Sequence, residues 1–143
     1  MILVDANLLI YAHHQASDFH SRARAWFEAA LQGSEGVGIA WMTILAFLRI
    51  TTNRHIFAHA FTMAEAEQIV AQWMAHPSVS IVPAGDRHWE VLSRMLREGQ
   101  ARSDLVTDAH LAALAIEHGA VVCTTDRDFA RFPGLRWQNP LQS

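Results

Sequence analysis

Met1-Ile-Leu-Val-Asp5-Ala-Asn7-Leu-Leu-Ile-Tyr-Ala12 opens the chain. Apolar residues run straight into an aspartate, and a second apolar segment follows at once. A short unbroken apolar run bounded in this way fits a strand buried on both faces, as in a parallel sheet. Asp5 then stands at the carboxyl end of the first strand, on the edge of an open α/β sheet where ligands bind.

The remaining chain repeats the pattern. Val37-Gly-Ile-Ala40, Val79-Ser-Ile-Val82 and Ala120-Val-Val-Cys-Thr124 read as strands, and Leu135-Arg-Trp137 as a short edge strand. Helical periodicity fills the intervals. Leu8, Leu9 and Ala12 lead to His13-His14. Ser17 or Asp18 is positioned to cap a helix carrying Ala23, Trp26, Phe27, Ala30 and Leu31, closed by Gly33 and Gly36. Trp41 to Thr52 is a strongly apolar helix bearing Arg49. Thr62-Met-Ala-Glu65 has the capping-box form ahead of Ile69, Val70, Trp73 and Met74. Asp86 is expected to cap a helix with Trp89, Leu92, Met95 and Leu96 on one face. Leu105 to His118 is a largely buried helix, and Gly119 is a good residue to end it. Strands alternating with helices predict an α/β fold, one domain over residues 1–143, with a central parallel sheet of four to five strands.

Composition narrows the function classes. Of 143 residues, 51% are hydrophobic, yet no apolar run approaches the ~18 that a membrane span requires. The N-terminus lacks a basic region before its apolar run, so it is a poor signal peptide, and a cytoplasmic protein is expected. Cys123 lies in an apolar run and reads as core. The net charge of −3 excludes a global positive field for polyanions. All basic residues are arginine; this bias reads as genomic base composition before phosphate recognition. The high apolar content also suggests a self-association or partner surface.

The chemistry lies in carboxylates. Singly, each has a structural reading: Asp5 as a helix cap, Asp108 as a charge favoured in a first helical turn, Asp126 as a turn residue. Together, Asp5 and Asp126 each end an apolar strand, and strand carboxyl ends in a parallel sheet share one rim. The helix beginning at Leu105 feeds the Val121 strand rather than following a strand, which predicts its N-terminus at the opposite rim. Spacing alone brings Asp108 to the site only if that helix is long, displaced or oriented across the sheet.

Val4-Asp5-Ala-Asn7-Leu-Leu-Ile-Tyr-Ala, Asp108-Ala-His-Leu-Ala-Ala-Leu-Ala and Thr124-Thr-Asp126-Arg-Asp128-Phe, in this order, resemble the PIN-domain family, and within it the VapC-type toxins of bacterial toxin–antitoxin pairs. The resemblance spans essentially the whole chain, including Leu45-Ala-Phe-Leu-Arg49 and Phe132-Pro-Gly-Leu-Arg-Trp137. It implies a three-layer α/β/α fold. It further implies catalytic and metal-binding roles for Asp5, Asp108 and Asp126 with Mg²⁺ or Mn²⁺, cleavage of RNA, a small cognate antitoxin and a homodimer. Hard divalent cations prefer oxygen ligands, and they relieve charge on a phosphoryl group while activating water. A bound metal also reverses the local charge, so an acidic protein can hold RNA at its site.

The resemblance also implies a glutamate on the third helix, at the position aligned with Phe47, and no acid stands between Thr43 and Asn53. Asp104, which shares a face with Asp108 on a continuous helix, or Asp128, is the candidate for the missing oxygen ligand; both also read as solvated charges. Arg49, Arg54, Arg127 and Arg131 are candidate RNA-phosphate contacts. His55 and His59 have the spacing of a zinc pair but no third ligand. His13, His14 and His110 read as structural before catalytic, Asn7 as a brace for the turn after Asp5, and Trp26, Trp73 and Trp89 as packing. A metal-dependent endoribonuclease is the leading expectation. A PIN-like module with lost catalysis is the alternative, and a phosphoaspartate protein ranks last because no lysine is present to contact a phosphoryl group.

Overall fold

The computed structural model describes residues 1–142. Five strands form one parallel sheet: β1 (Ile2–Val4), β2 (Val37–Ile39), β3 (Val79–Ile81), β4 (Val121–Cys123) and β5 (Trp137–Gln138), in the order β3-β2-β1-β4-β5. Alternate side chains of each strand serve opposite faces. Ile2, Val4, Val37, Ile39 and Cys123 pack into one core, and Leu3 and Val122 into the other. Burial on both faces explains the unbroken apolar runs of β1 and β4.

The first core is roofed by α1 (Ala6–His13), α2 (His20–Gln32), α3 (Trp41–Thr51) and α4 (Met63–Ala75). The second is roofed by α5 (His88–Glu98) and α6 (Leu105–His118). The result is the expected three-layer α/β/α sandwich. Gly38 in β2 is a packing requirement: a Cβ there would sit 2.6 Å from Val82 Cγ2 and 3.2 Å from the Ile2 carbonyl oxygen. Gly119 ends α6 at φ +63°, where side chains are strained. The capping box at Thr62 and Glu65 forms in full.

Several expectations are corrected. Ser17 and Asp18 do not cap α2; its first flanking residue is Phe19, without a side-chain cap, and Ser17 Oγ instead accepts from the Phe19 N–H at 3.1 Å. Asp86 does not cap α5, which is flanked by Arg87. The edge strand lies at Trp137–Gln138 rather than starting at Leu135. Trp89 is 72% exposed, because α5 turns Val91, Leu92 and Met95 toward α6 and leaves the neighbouring stripe to solvent. His55 and His59 lie in a turn region, not a helix, so their spacing does not place them on one face.

The orientation of α6 is the consequential correction. It starts beside the carboxyl end of β1, where Thr107 and Asp108 line a cavity with Asp5, and it ends just before β4 begins. A helix that feeds a strand packs antiparallel to it, so its N-terminus belongs at the strands' carboxyl rim. The β3-to-β4 crossover has two helices: α5 runs toward that rim and α6 returns from it. Their antiparallel pairing shows in the bonds from Gly85 and His88, at the start of α5, to Glu117, near the end of α6.

Candidate metal centre

The chain leaves β1 toward β2 on one side, and it returns to β4 on the other side of β1. The carboxyl ends of β1 and β4 therefore flank the switch point of the sheet, where adjacent connections diverge and leave a crevice. Asp5 follows β1 directly and its N–H donates to the Cys123 carbonyl at 3.0 Å, which locks the two strand ends together. Asp126 follows β4 by a short turn.

Hydrogen bonds fix both acids. Asp5 Oδ1 accepts from the Ala6 N–H at 2.8 Å as the cap of α1, and Oδ2 accepts from Thr124 Oγ1 at 2.8 Å. The Thr124 hydroxyl oxygen in turn accepts from the Asp126 N–H at 3.0 Å and from Asn7 Nδ2 at 3.3 Å. Asp126 Oδ1 accepts from the Asp128 N–H at 2.8 Å, the turn bond expected of it. Thr124 is thus the clasp of the site, fully buried and touching three of its members. Sequence reasoning missed it. The signal was its place at the end of β4, two residues before an aspartate.

Carboxylate oxygens of Asp108, Asp126 and Asp128 all lie within 4.8 Å of one another. No arginine or histidine forms an ion pair with any of them among the described residues. Burial pushes the Asp108 carboxyl up to about 7, reinforced by the charges of Asp5, Asp126, Asp128 and Asp104. Burial also raises Asp5, against the opposing hydrogen bonds from Thr124 and Ala6. Asp5, Ala6, Met42, Thr43, Ala46, Thr107, Asp108 and Leu111 line a cavity of about 70 Å³. α1, α3 and α6 each present their first turn to it, so three positive helix ends face the acids.

Like charges gathered without a counter-ion repel, and either a proton or a bound cation relieves them. The donor set is all oxygen, which suits a hard divalent ion. Asn7 Oδ1 is a further buried oxygen with no hydrogen-bond partner among the described residues. The residues present fit a metal.

Of the two candidates for the absent ligand, Asp128 joins the cluster and Asp104 does not. Asp104 flanks α6 as an exposed residue, and its charge is the smallest contribution to the rise at Asp108. Phe47 is also reassigned. It is fully buried, with its ring 4.7 Å from Trp73 and 6.0 Å from His13, inside the core beneath α3. The α3 residues that face the aspartates are Met42, Thr43 and Ala46, so an acid at position 47 would enter the apolar core and miss the site.

Three histidines and Asn7 make contacts with the protein, Asn7 through its Nδ2 bond to Thr124. His13 Nε2 accepts from Trp73 Nε1–H at 3.0 Å, His14 stacks on Phe57 at 4.1 Å, and His110 pairs with His88 at 2.9 Å. Trp73 is buried and Trp26 packs half-buried against the first core. Arg49, Arg54 and Arg127 are exposed, and none forms an ion pair among the described residues. Arg131 Nη1 donates to the Gly99 carbonyl at 2.9 Å and ties the turn after β4 to the end of α5. A cavity of about 620 Å³ lies between α5 and the end of α6, and among the described residues its acids do not form a metal-spaced cluster.

Acids ending β1 and β4 and joined by the start of α6 are what the resemblance implies, and residues 2–135 match the PIN domain as a family. The chain belongs to the PIN-domain family. It is 43% identical over 140 residues to Ribonuclease VapC37 of Mycobacterium tuberculosis, covering 98% of this chain and 97% of that protein. Ribonuclease VapC33 of the same organism is 37% identical over 142 residues, covering 99% of each. Among solved structures, VapC20 of M. tuberculosis, described as a sarcin–ricin loop cleaving toxin, matches with a TM-score of 0.68 and 17% identity over 95% of this chain and 99% of that one. VapBC2 from Rickettsia felis, solved on a promoter DNA fragment, matches with a TM-score of 0.71 and 15% identity over 97% of this chain and 98% of that one. At these identities the two structures speak for the fold. PIN-domain ribonucleases generally use divalent metal, in keeping with the acidic cluster. Among the described residues no helix is long and apolar enough to cross a membrane.

Proposed function

We propose that this PIN domain is a metal-dependent endoribonuclease, the toxin of a toxin–antitoxin pair acting in the cytoplasm. The carrying observation is the set of unpaired carboxylates at the switch point. Asp5, Asp108 and Asp126 are the catalytic and metal-holding residues, with Asp128 as the further oxygen ligand, and Mg²⁺ or Mn²⁺ is the ion. Bound there, the ion relieves phosphoryl charge and makes water a better nucleophile. The chain's own part is placement. Thr124 holds Asp5 and the Asp126 backbone in fixed relation, and Asp108 keeps its oxygens free of protein hydrogen bonds among the described residues.

RNA enters as substrate, with Arg49, Arg54 and Arg127 as exposed phosphate contacts. The antitoxin is a small protein of the kind seen in the VapBC complexes, and the toxin itself forms a homodimer. Trp41, Met42 and Leu45, all exposed on α3, supply apolar surface for a protein partner. A catalytically weakened binding module is favoured by one observation: α3 brings no acid to the cavity.

Cleavage of a mixed RNA pool with Mg²⁺, Mn²⁺ or EDTA separates the two readings. Metal-dependent cutting that disappears in Asp5→Asn and Asp108→Asn supports the nuclease. RNA that is bound but left intact in every metal moves the assignment to the binding module.

A further inference from the structure

The α3 side of the cavity is mostly apolar, through Met42 and Ala46, but it also offers hydrogen-bond donors. α3 begins after Ala40, which has no side chain to cap it, and the N–H groups of Trp41, Met42 and Thr43 have no partner among the described residues. Thr43 is only 4% exposed and lines the cavity that Asp5 and Asp108 share. Its hydroxyl makes no hydrogen bond among the described residues. Other threonines of these helices behave differently. Thr51 and Thr52 return their hydroxyls to the carbonyls of Phe47 and Leu48, each at 2.7 Å, and Thr107 donates to the Asp104 carbonyl at 2.9 Å. On a side chain this withdrawn from water, a hydroxyl without a protein partner is available to a ligand in the cavity.

N–H groups can only donate, so they do not ligate a cation. The carboxylates across the cavity have the opposite character. Donors on one wall and acceptors on the other match an anion that shares a cation with the acids, and a helix N-terminus favours an anion by its partial charge. We propose that Thr43 Oγ1 and the first-turn N–H groups of α3 hold a non-bridging oxygen of an RNA phosphate beside the carboxylate cluster. This deepens the ribonuclease reading and rests on it for the identity of the phosphate. Thr43 is then a substrate-binding residue of the reaction, and the acids remain responsible for the metal.

The test compares Thr43→Val, which removes the hydroxyl at constant shape, with Thr43→Ser, which keeps it. Fluorescence anisotropy of a 2′-O-methyl single-stranded RNA decamer pool in Ca²⁺ reads binding without requiring cleavage. Calorimetric titration with Mn²⁺ alone reads the metal. Thr43→Val should weaken RNA binding about tenfold, the scale of one hydrogen bond to a charged oxygen, while Thr43→Ser stays within about twofold. Mn²⁺ affinity and melting temperature should match the wild type in both. If Thr43→Val melts early, Thr43→Ala replaces it in the same comparison. Wild-type RNA affinity in Thr43→Val, no binding of the pool by the wild type, a serine variant as weak as valine, or a loss of Mn²⁺ affinity would each overturn the assignment. Failure of the nuclease reading shows separately, as a wild type that binds RNA in Ca²⁺ yet leaves an unmodified pool uncut in Mn²⁺.

Discussion

The two ends of α6 carry acids in opposite circumstances. At its C-terminal end Glu117 accepts from the Gly85 N–H at 3.2 Å and pairs with His88 at 2.5 Å, and His88 passes a second bond to His110 at 2.9 Å. At its N-terminal end Asp108 faces Asp126 and Asp128 with no ion-pair partner among the described residues, and its carboxyl is pushed up to about 7. The Glu117 side chain is largely withdrawn from water, and Asp108 is half-buried. The first is completed by the protein and holds α5 against α6. The second is left incomplete, which costs stability and creates a demand for a cation. Unmet electrostatic demand, more than cavity size, marks the functional end.

The sharpest way to break this contrast is to neutralise each acid. Asp108→Asn should cut metal-dependent cleavage by on the order of 10²–10³-fold while raising the melting temperature of the metal-free protein. Glu117→Gln should do the reverse, leaving turnover within about twofold and costing about 2 kcal/mol by denaturant titration, since it weakens a buried hydrogen-bonded pair. Equal effects from the two would remove the distinction.

Next in size is a contrast across α3. Phe47→Glu should destabilise the fold by about 3–5 kcal/mol, because it deletes a core ring and inserts a carboxylate beside Trp73. Ala46→Glu should fold and raise Mn²⁺ affinity in calorimetry, because position 46 faces Asp5 and Asp108. Thr124→Val should follow, lowering cleavage by about 10–100-fold with metal still bound, as expected when a group that orients ligands is lost. Thr124→Ser should restore most of the rate.

The smallest effect is on the pH dependence of stability in EDTA. Folding raises the Asp108 carboxyl from 3.8 to about 7, so the folded state holds the extra proton and stability falls as pH rises through that interval. His13 has the opposite sign. It is lowered from 6.5 to about 4 by burial first, so its contribution grows as pH rises between those values. Comparing wild type with Asp108→Asn isolates the carboxylate. The variant's advantage in melting temperature should widen from pH 4 to above 7, and added Mn²⁺ should abolish it.

Which of these features the sequence could disclose follows from the range of the interactions involved. β1 and β4 were legible because burial on both faces leaves an unbroken apolar run, and an aspartate breaking such a run marks a strand end. The capping box at Thr62 was legible because its bonds join residues three apart. Helical spacing puts Trp89 on an apolar stripe, but which of two adjacent stripes turns inward is set by packing, and Trp89 faces solvent. The expectation for Asp108 fails because a helix that feeds a parallel strand runs antiparallel to it, which puts the start of α6 at the carboxyl rim.

The sequence by itself therefore determined an α/β chain, the strand ends at Asp5 and Asp126, and, through resemblance, the PIN family with its Asp108. Only the tertiary structure decided that Asp128 and not Asp104 joins the cluster, that Thr124 clasps it, and that Ala46 and Thr43 rather than Phe47 face it. These outcomes depend on contacts between residues far apart in the chain, such as Asp5 and Thr124, separated by 119 positions. Local periodicity can say that a side chain lies on a helix face. What that face meets is set by how the layers close around the sheet.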